Sequence, residues 1–338
     1  MSKILKFMLL PMVLNLFDGN TNITSDAGLS QEMKTFYSDY LIDMAEPNLV
    51  HDQFGQKKPI PKNGGKTIEF RKYDPLPKAM QPLTEGVTPD GQKLTMDTIR
   101  ADVEQYGGFV ELSDMLILTA IDNNMVEATK LIGSQAGRTL DTITREVLVG
   151  GTNVQRAEGQ VEDRNQLVGG QETGNHYLTV NAIRRAVRTL KVFNAPKING
   201  YYAGIIHPDC SYDLMEDPKW VNVKTYSDPE GIYEGEIGRI EGVRFVETSE
   251  AKVFKGEGAS GRDVYATLIL GADAYGVTEI TGGGLQHIVK QLGSAGTADP
   301  LNQRATVGWK ATKVAERLVE AYMVRIETTS TFNDLTVD

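Results

Sequence analysis

Cysteine is almost missing from this 338-residue sequence, with Cys210 standing alone. No internal disulfide can form and a Cys-x-x-Cys metal site is absent, so a reducing compartment is the natural reading. Histidine is scarce as well. His51, His176, His207 and His287 are the full set, none lies at ligand spacing from another, and there is no His-Glu-x-x-His. Gly-x-Ser-x-Gly does not occur, and no Gly-x-Gly-x-x-Gly follows a strand pattern. Positive charge is in deficit, the net charge being -10. That balance disfavours a dedicated nucleic-acid binder and suits a surface that must sit near polyanions without gripping them. Internal repeats and low-complexity tracts are lacking. The sequence thus nominates no catalytic, cofactor-binding or metal-binding set. What remains is an ordinary globular composition, 40% hydrophobic and 24% charged, with a length that suggests about two domains.

The feature that stands out is a long arm between Gly64 and Glu111. A short alternating run, Lys66 to Tyr73, places Ile68 and Phe70 between Glu69 and Arg71. A longer run, Thr95 to Leu112, alternates Ile99, Ala101 and Val103 with Arg100, Asp102 and Glu104. Both periods read as β-strand. The connection from Asp74 to Gly91 far exceeds a hairpin loop, and Pro75, Pro77, Pro82 and Pro89 stiffen it toward extended backbone. An extended element short of a core of its own makes sense if it lies on another copy of the chain.

The first residues, Met1 to Phe17, carry two lysines and an apolar run that mimics a signal peptide. No small-x-small cleavage site follows, and Pro11 interrupts a run too short to span a bilayer, so a docking N-terminal arm is expected instead. Leu29 to Pro47 reads as a helix with Met33, Phe36, Tyr40, Leu41 and Met44 on one face. After the arm, Ser113 opens a helical region. Asp122 and Asn123 stand where an N-cap would start a long helix from Asn124 to Val149. Ala128, Ile132, Ala136, Leu140, Ile143 and Val147 give that helix a continuous stripe. It would be a rod close to 40 Å long at about 1.5 Å per residue, long enough for a spine.

Gly150 to His176 is polar and glycine-rich and reads as a boundary or exposed loop. Beyond it come a helix from Thr179 to Phe193, a buried strand from Tyr201 to Pro208, and a short helix from Cys210 to Pro218. A turn and strand (Gly235 to Thr248) and a strand and turn (Asp263 to Val277) follow. The rest of the chain reads as strand, loop, long strand.

Two motifs invite chemistry. Gly64-Gly65-Lys66-Thr67 hints at a phosphate loop, but Ile60 stands where that loop needs glycine, and Thr67 opens a strand where a helix is required. It reads as a turn at the base of a hairpin. His207-Pro208-Asp209-Cys210 brings a histidine beside the lone cysteine, and a Cys/His hydrolase is one reading. The plainer one has Pro208 breaking the strand, Asp209 capping the next helix and Cys210 packing as a small apolar residue.

Charge is segregated. Lys57, Lys58, Lys62, Lys66, Arg71, Lys72 and Lys78 make the near limb of the arm basic. Asp209, Asp213, Glu216, Asp217, Asp228, Glu230, Glu234 and Glu236 make the second domain acidic. Such runs are usually solvated faces. The sharper expectation is head-to-tail attraction between copies. Its candidate contact residues are Lys57, Lys58, Lys62, Arg71, Lys72, Lys78, Glu85, Lys93, Asp213, Glu216, Asp217 and Glu234.

Four long phrases carry a resemblance: Leu49 to Ala79, Pro82 to Gly91, Gly235 to Thr248 and Gln291 to Ala311. Over roughly Leu29 to Glu327 the chain resembles the major capsid proteins of tailed bacteriophages and prophages of the phage N-four type. The resemblance implies an α+β fold, that of the Hong Kong 97 capsid protein. It implies an N-terminal arm (1–56), an extended β-hairpin E-loop (57–111), a peripheral domain with the spine helix (112–150), an axial domain (151–280) and a return to the peripheral domain (281–338). It further implies a virion protein without enzymatic activity or cofactor, assembled in the host bacterial cytoplasm into pentamers and hexamers of an icosahedral shell. The partners it implies are other copies of the chain, packaged double-stranded DNA bound without sequence specificity, and scaffold, portal and decoration proteins, with no membrane. A nanocompartment shell of the same fold, enclosing protein cargo, is the alternative. Some relatives cross-link a lysine to an asparagine. Lys78, Lys93 and Asn302 lie in the corresponding regions, though a positioned carboxylate would also be required.

Overall fold

Alternating strand patterns pair here across long stretches of chain, and three of the four sheets combine strands from distant segments. The computed structural model describes residues 49–59, 66–73, 76–83, 85–88, 91–119, 124–157, 161–169, 176–220, 236–278, 285–294 and 299–332. The helix expected at 29–47, the N-cap at Asp122 and Asn123, and candidates Lys62 and Glu234 fall outside them.

In chain order, β1 (Gln56–Lys58) precedes β2 (Thr67–Tyr73) and β3 (Met96–Asp102), and β4 (Glu104–Ser113) leads into the short helix α1 (Asp114–Thr119). The spine helix α2 runs Asn124–Val149, as its stripe predicts. Next are β5 (Val154–Arg156), α3 (Val180–Val192), β6 (Tyr202–Ile206) and α4 (Pro208–Glu216). Then follow β7 (Glu236–Ile240), β8 (Val243–Glu247), β9 (Val253–Phe254), β10 (Val264–Leu270) and β11 (Tyr275–Thr278). β12 (Leu285–Lys290), β13 (Arg304–Lys313), β14 (Ala315–Arg317) and β15 (Met323–Thr328) complete the described chain.

The large sheet has the order β5-β15-β10-β6-β8-β7, with β9 paired to the start of β10. Its central strands β6 and β10 are buried on both faces, which is why they read as unbroken apolar runs. On one face Ile183, Ala186, Val187 and Leu190 of α3 and Cys210 and Leu214 of α4 pack over Ile206, Phe245 and Ile269. On the other face Ala203, Ile205 and Leu268 meet Leu148 and Val149 at the end of α2, together with Tyr275, Val277 and Ala315. A three-stranded sheet, β12-β13-β4, lies against the first half of α2 through Ile132, Ala136, Leu140, Val307 and Trp309.

Three sequence expectations change. The run Thr95 to Leu112 is two strands, because the partner changes at Val103: β3 pairs with β2, whereas β4 pairs with β13 over ten residues. Gly235 to Thr248 holds a hairpin of two strands, β7 and β8, closed by Glu241 and Gly242 at φ 52° and 82°. Positive φ at both central residues is the twist-matched primed turn, here without its usual Asn-Gly. The long C-terminal strand is three, β13, β14 and β15, interrupted at Val314 and by a turn of 3-10 helix at Glu320–Tyr322.

A polar cluster lies inside the packing of α2. His51 donates its backbone N–H to Asp141 Oδ1 at 2.7 Å, and its Nδ1 lies 2.6 Å from Asp141 Oδ2. Thr144 Oγ1 donates to Asp52 Oδ1, and Lys313 Nζ donates to Asp52 Oδ2. The Tyr275 hydroxyl donates to the His51 carbonyl. Asp52 and Lys313 are buried together with the other four. The cluster pins residues 49–54 to the spine just before β1 and the arm.

Candidate interaction surface

The arm has two regions of different character. Its base is a seven-pair antiparallel ladder, Thr67↔Asp102 through Tyr73↔Met96. Ile68, Phe70, Ala101 and Val103 point to one side of it and pack with Leu318 and the partly buried Val314 and Val319 of the parent subunit. Phe70 is fully buried, its ring lying where a Cβ on Gly276 would stand 2.3 Å away. The base therefore has a core after all, built against its own chain, because the alternation that makes the strand also gives it one apolar face.

The reach beyond is different. Leu76, Met80, Leu83, Val87, Leu94 and Met96 are exposed at 50%, 81%, 77%, 63%, 67% and 45%. Met96 belongs to the last pair of the ladder, and the other five, each half or more exposed, lie on one prolonged loop, a placement that suits contact with a partner.

The candidate charges divide accordingly. Lys58 Nζ donates to the Glu69 carbonyl at 2.7 Å and lies 5.4 Å from the Phe70 ring centroid, so it braces β1 against β2. Lys57 is exposed on β1. Arg71, exposed, and Lys72, half-buried, stand opposite Thr98 and Asp97. Lys78, Glu85 and Lys93 are exposed along the reach.

On the acidic side, Asp213 is buried and accepts from the backbone and hydroxyl of Thr331. Asp217 accepts from the Val180 and Lys219 amides, at 3.0 and 2.9 Å. Both carboxylates are occupied by their own chain, and Glu216 is the exposed member. Burial pushes the Asp213 carboxyl above the usual range, against the pull of the Thr331 and Ser330 hydrogen bonds. The folded chain thus holds that proton more tightly than the unfolded chain, and this group's contribution to stability falls as pH rises through its range. Asp213→Asn should flatten that part of the stability-versus-pH curve, read from urea midpoints across the carboxylate range. An unchanged slope counts against the burial argument.

The outer face of β12-β13-β4 is barely foreshadowed in the residue pattern. Gly308 stands between Phe109 and Ile288 in register. Phe109 is 71% and Ile288 40% exposed. They floor a groove of about 610 Å³ edged by Glu111, Lys290, Arg304 and Lys310. The three glycines Gly107, Gly108 and Gly308 were its one signal, since a strand glycine marks a place another chain can approach.

His207 and Cys210 do not form a nucleophilic pair. His207 is the N-cap of α4, its Nδ1 accepting from the Asp209 amide at 3.2 Å, and Pro208 takes the first helical position. That corrects the expected cap at Asp209, which sits inside the first turn where Pro at N1 puts it. Cys210 Sγ lies 3.7 Å from Thr328 Oγ1, fully buried, and burial drives the thiol far above its ordinary range. A thiol held protonated is inert. A thiol-exchange reagent should therefore label Cys210 only at the rate of unfolding, and rapid labelling of native protein would contradict the burial. Thr67 opens β2 opposite Asp102, and Gly64 and Gly65, which carry the expected turn, lie outside the described residues.

The family described as phage capsid protein matches residues 118–297 by its sequence model. No curated protein matches the chain. Among solved structures, the capsid of Ralstonia phage GP4 is 15% identical, with a TM-score of 0.63 over 83% of this chain and 88% of that one. The cyanophage Pam1 capsid is also 15% identical, with a TM-score of 0.59 over 85% and 93%. The head of Helicobacter pylori bacteriophage KHP40 is 10% identical, with a TM-score of 0.59 over 94% and 100%. At these identities the structures establish the fold alone.

Proposed function

This chain belongs to the phage capsid protein family, and from that premise we propose how one copy locks onto the next. It is a major capsid protein with the Hong Kong 97-like α+β fold, a structural component of the phage head.

In the proposed arrangement the exposed reach of the arm lies across the neighbouring subunit. Its apolar side chains enter a groove such as the one floored by Phe109, Gly308 and Ile288, while Lys78 and Lys93 meet acidic groups elsewhere on that neighbour. Such a contact is heterologous, so successive copies close into rings of five and six. Arm, ring and peripheral contacts are each modest, and together they hold a shell by multivalency. The single observation that carries this reading is the contrast within one hairpin, a base buried against its own chain and five apolar side chains beyond it in solvent.

Residues 1–56 then act as an N-terminal arm, 57–111 as the extended loop, 112–150 and 281–338 as the peripheral domain and 151–280 as the axial domain. β4 serves two units, closing the loop while joining the peripheral sheet. Double-stranded DNA is the content, scaffold, portal and decoration proteins are the accessory partners, and assembly takes place in the host bacterial cytoplasm. Absence of enzymatic activity belongs to the same proposal. The nanocompartment alternative finds no favour in a family match to phage capsids.

Electron microscopy of the purified protein is the test. Closed icosahedral particles are expected, with nuclease-protected duplex DNA inside when isolated from infected cells. A chain that stays monomeric at high concentration would end the reading, and particles filled with protein cargo would favour the alternative.

A further inference from the structure

Between Thr173 and Pro208 there is not one aspartate or glutamate, in a chain whose net charge is -10. The same segment holds Arg184, Arg185, Arg188, Lys191 and Lys197, all exposed. Arg184, Arg188 and Lys191 recur at steps of four and three, so they share one stripe of α3, and Arg185 flanks it. The opposite side of the helix, Ile183, Ala186, Val187 and Leu190, is sealed into the core. The stripe therefore faces away from the sheet. Glu241 meets Arg184 at 2.6 Å from the β7–β8 turn. The helix itself contributes no acid to offset the rest.

We propose that this exposed face of α3 contacts the phosphates of duplex DNA enclosed by the shell, a refinement that rests on the capsid reading above. Two observations favour a polyanion over the acidic surface of a second copy. First, the exposed acid Glu216 lies on α4, which packs on the same face of the large sheet as α3. In a wall of side-by-side copies both helices look to the same side and cannot meet. Second, the stripe between Arg184 and Lys191 carries no apolar anchor at its centre, which a protein interface would place there. Duplex DNA presents one negative charge per about 1.7 Å of its axis, so three cations along roughly 10 Å of helix find phosphates at any register. The remaining acidic surface repels the same duplex, so contact is confined to this patch and stays weak, as a genome that must leave the shell requires.

The test uses the purified full-length chain and labelled duplexes of about 30 base pairs in two unrelated sequences, titrated between about 50 and 200 mM salt. Neutralising three phosphates predicts a roughly 40-fold loss of affinity across that range, equal for both sequences. Arg188→Gln with Lys191→Gln should reduce the loss to about 3- to 4-fold, and Arg188→Lys with Lys191→Arg should restore it. Wild-type chain that binds no duplex overturns the proposal, as does a Gln variant that binds like wild type. So does a Gln variant that melts normally yet builds no shells, because the face then meets another copy, with Val192 and Phe193 as its anchor. Wild-type chain that binds duplex through these residues but never forms particles sinks the capsid reading and with it the enclosed-genome role, leaving only the duplex contact of α3.

Discussion

A chain carrying Met80→Ser, Leu83→Ser and Val87→Ser is expected to fold as the wild type does and to build no shells. All three side chains are more than half exposed in the single subunit. Substitutions at such positions usually change stability by no more than about 0.5 kcal/mol, so the urea midpoint should barely move. Assembly answers differently. Burying an apolar side chain of this size is worth about 1.5–3 kcal/mol. At the low end three of them contribute about 4.5 kcal/mol to each arm contact, a little over three decades in its equilibrium constant. In the proposed arrangement every subunit gives one arm and receives another, so the loss is repeated at each contact of the lattice. Particle yield by sedimentation or electron microscopy is the readout. Wild-type yield from the triple variant would place the closing force elsewhere, while a lowered urea midpoint would mean that the reach packs on its own subunit. Excising the reach from Pro75 to Pro89 should give the same outcome more severely, a soluble monomer or small ring.

The part of the fold that the sequence made legible is the part governed by local period. Ile68, Phe70, Ile99 and Ala101 alternate because one face of the ladder is wet and the other dry, and the hairpin followed from that. The spine helix was bounded correctly because its stripe is continuous and Gly150 and Gly151 end it. Illegible features were those decided by distant partners. Nothing in the alternation of residues 95–112 marks Val103, yet there the chain leaves β2 for β13, more than 200 residues away. The base of the arm looked coreless because its covering residues, Val314, Leu318 and Val319, come from the far end of the chain. Charge in a sequence does not tell a free carboxylate from one engaged by its own chain. Asp213 and Asp217 spend their carboxylates on their own chain, whereas the apolar side chains of the reach, scattered singly in the sequence, are seen to be uncovered only once the chain is folded.

Lys313→Met is expected to be the most damaging single substitution away from any contact between copies. Sequence patterning gave no hint of it, since the apolar stripe of α2 runs past Asp141 and Thr144 without marking either as buried, and a lysine at the end of a strand ordinarily reads as solvated. In the folded chain Lys313 is 1% exposed and its ammonium meets Asp52, which is 5% exposed. Methionine matches the lysine stem in length and leaves no large void, so the loss is electrostatic: Asp52 keeps the Thr144 hydroxyl and loses its counter-ion. Removing one partner of a buried pair costs about 3–5 kcal/mol, a large share of a typical domain's stability of about 5–15 kcal/mol. Asp52→Asn alone should also destabilise, because it strands the ammonium. The two together should recover much of the loss, since the orphaned charge is gone from both sides. Urea unfolding of the four chains, followed by circular dichroism, yields the coupling energy. A near-zero coupling, or a Lys313→Met chain within about 1 kcal/mol of wild type, would show that the pair does not hold the structure. The position of the cluster gives the result a second reading. His51 and Asp52 lie just ahead of β1, and β1 adds in parallel to β11 beside the base of the arm. A chain that loosens there should release the arm before it unfolds, and protease should cut between β1 and β2 at urea concentrations that leave the far-ultraviolet spectrum native.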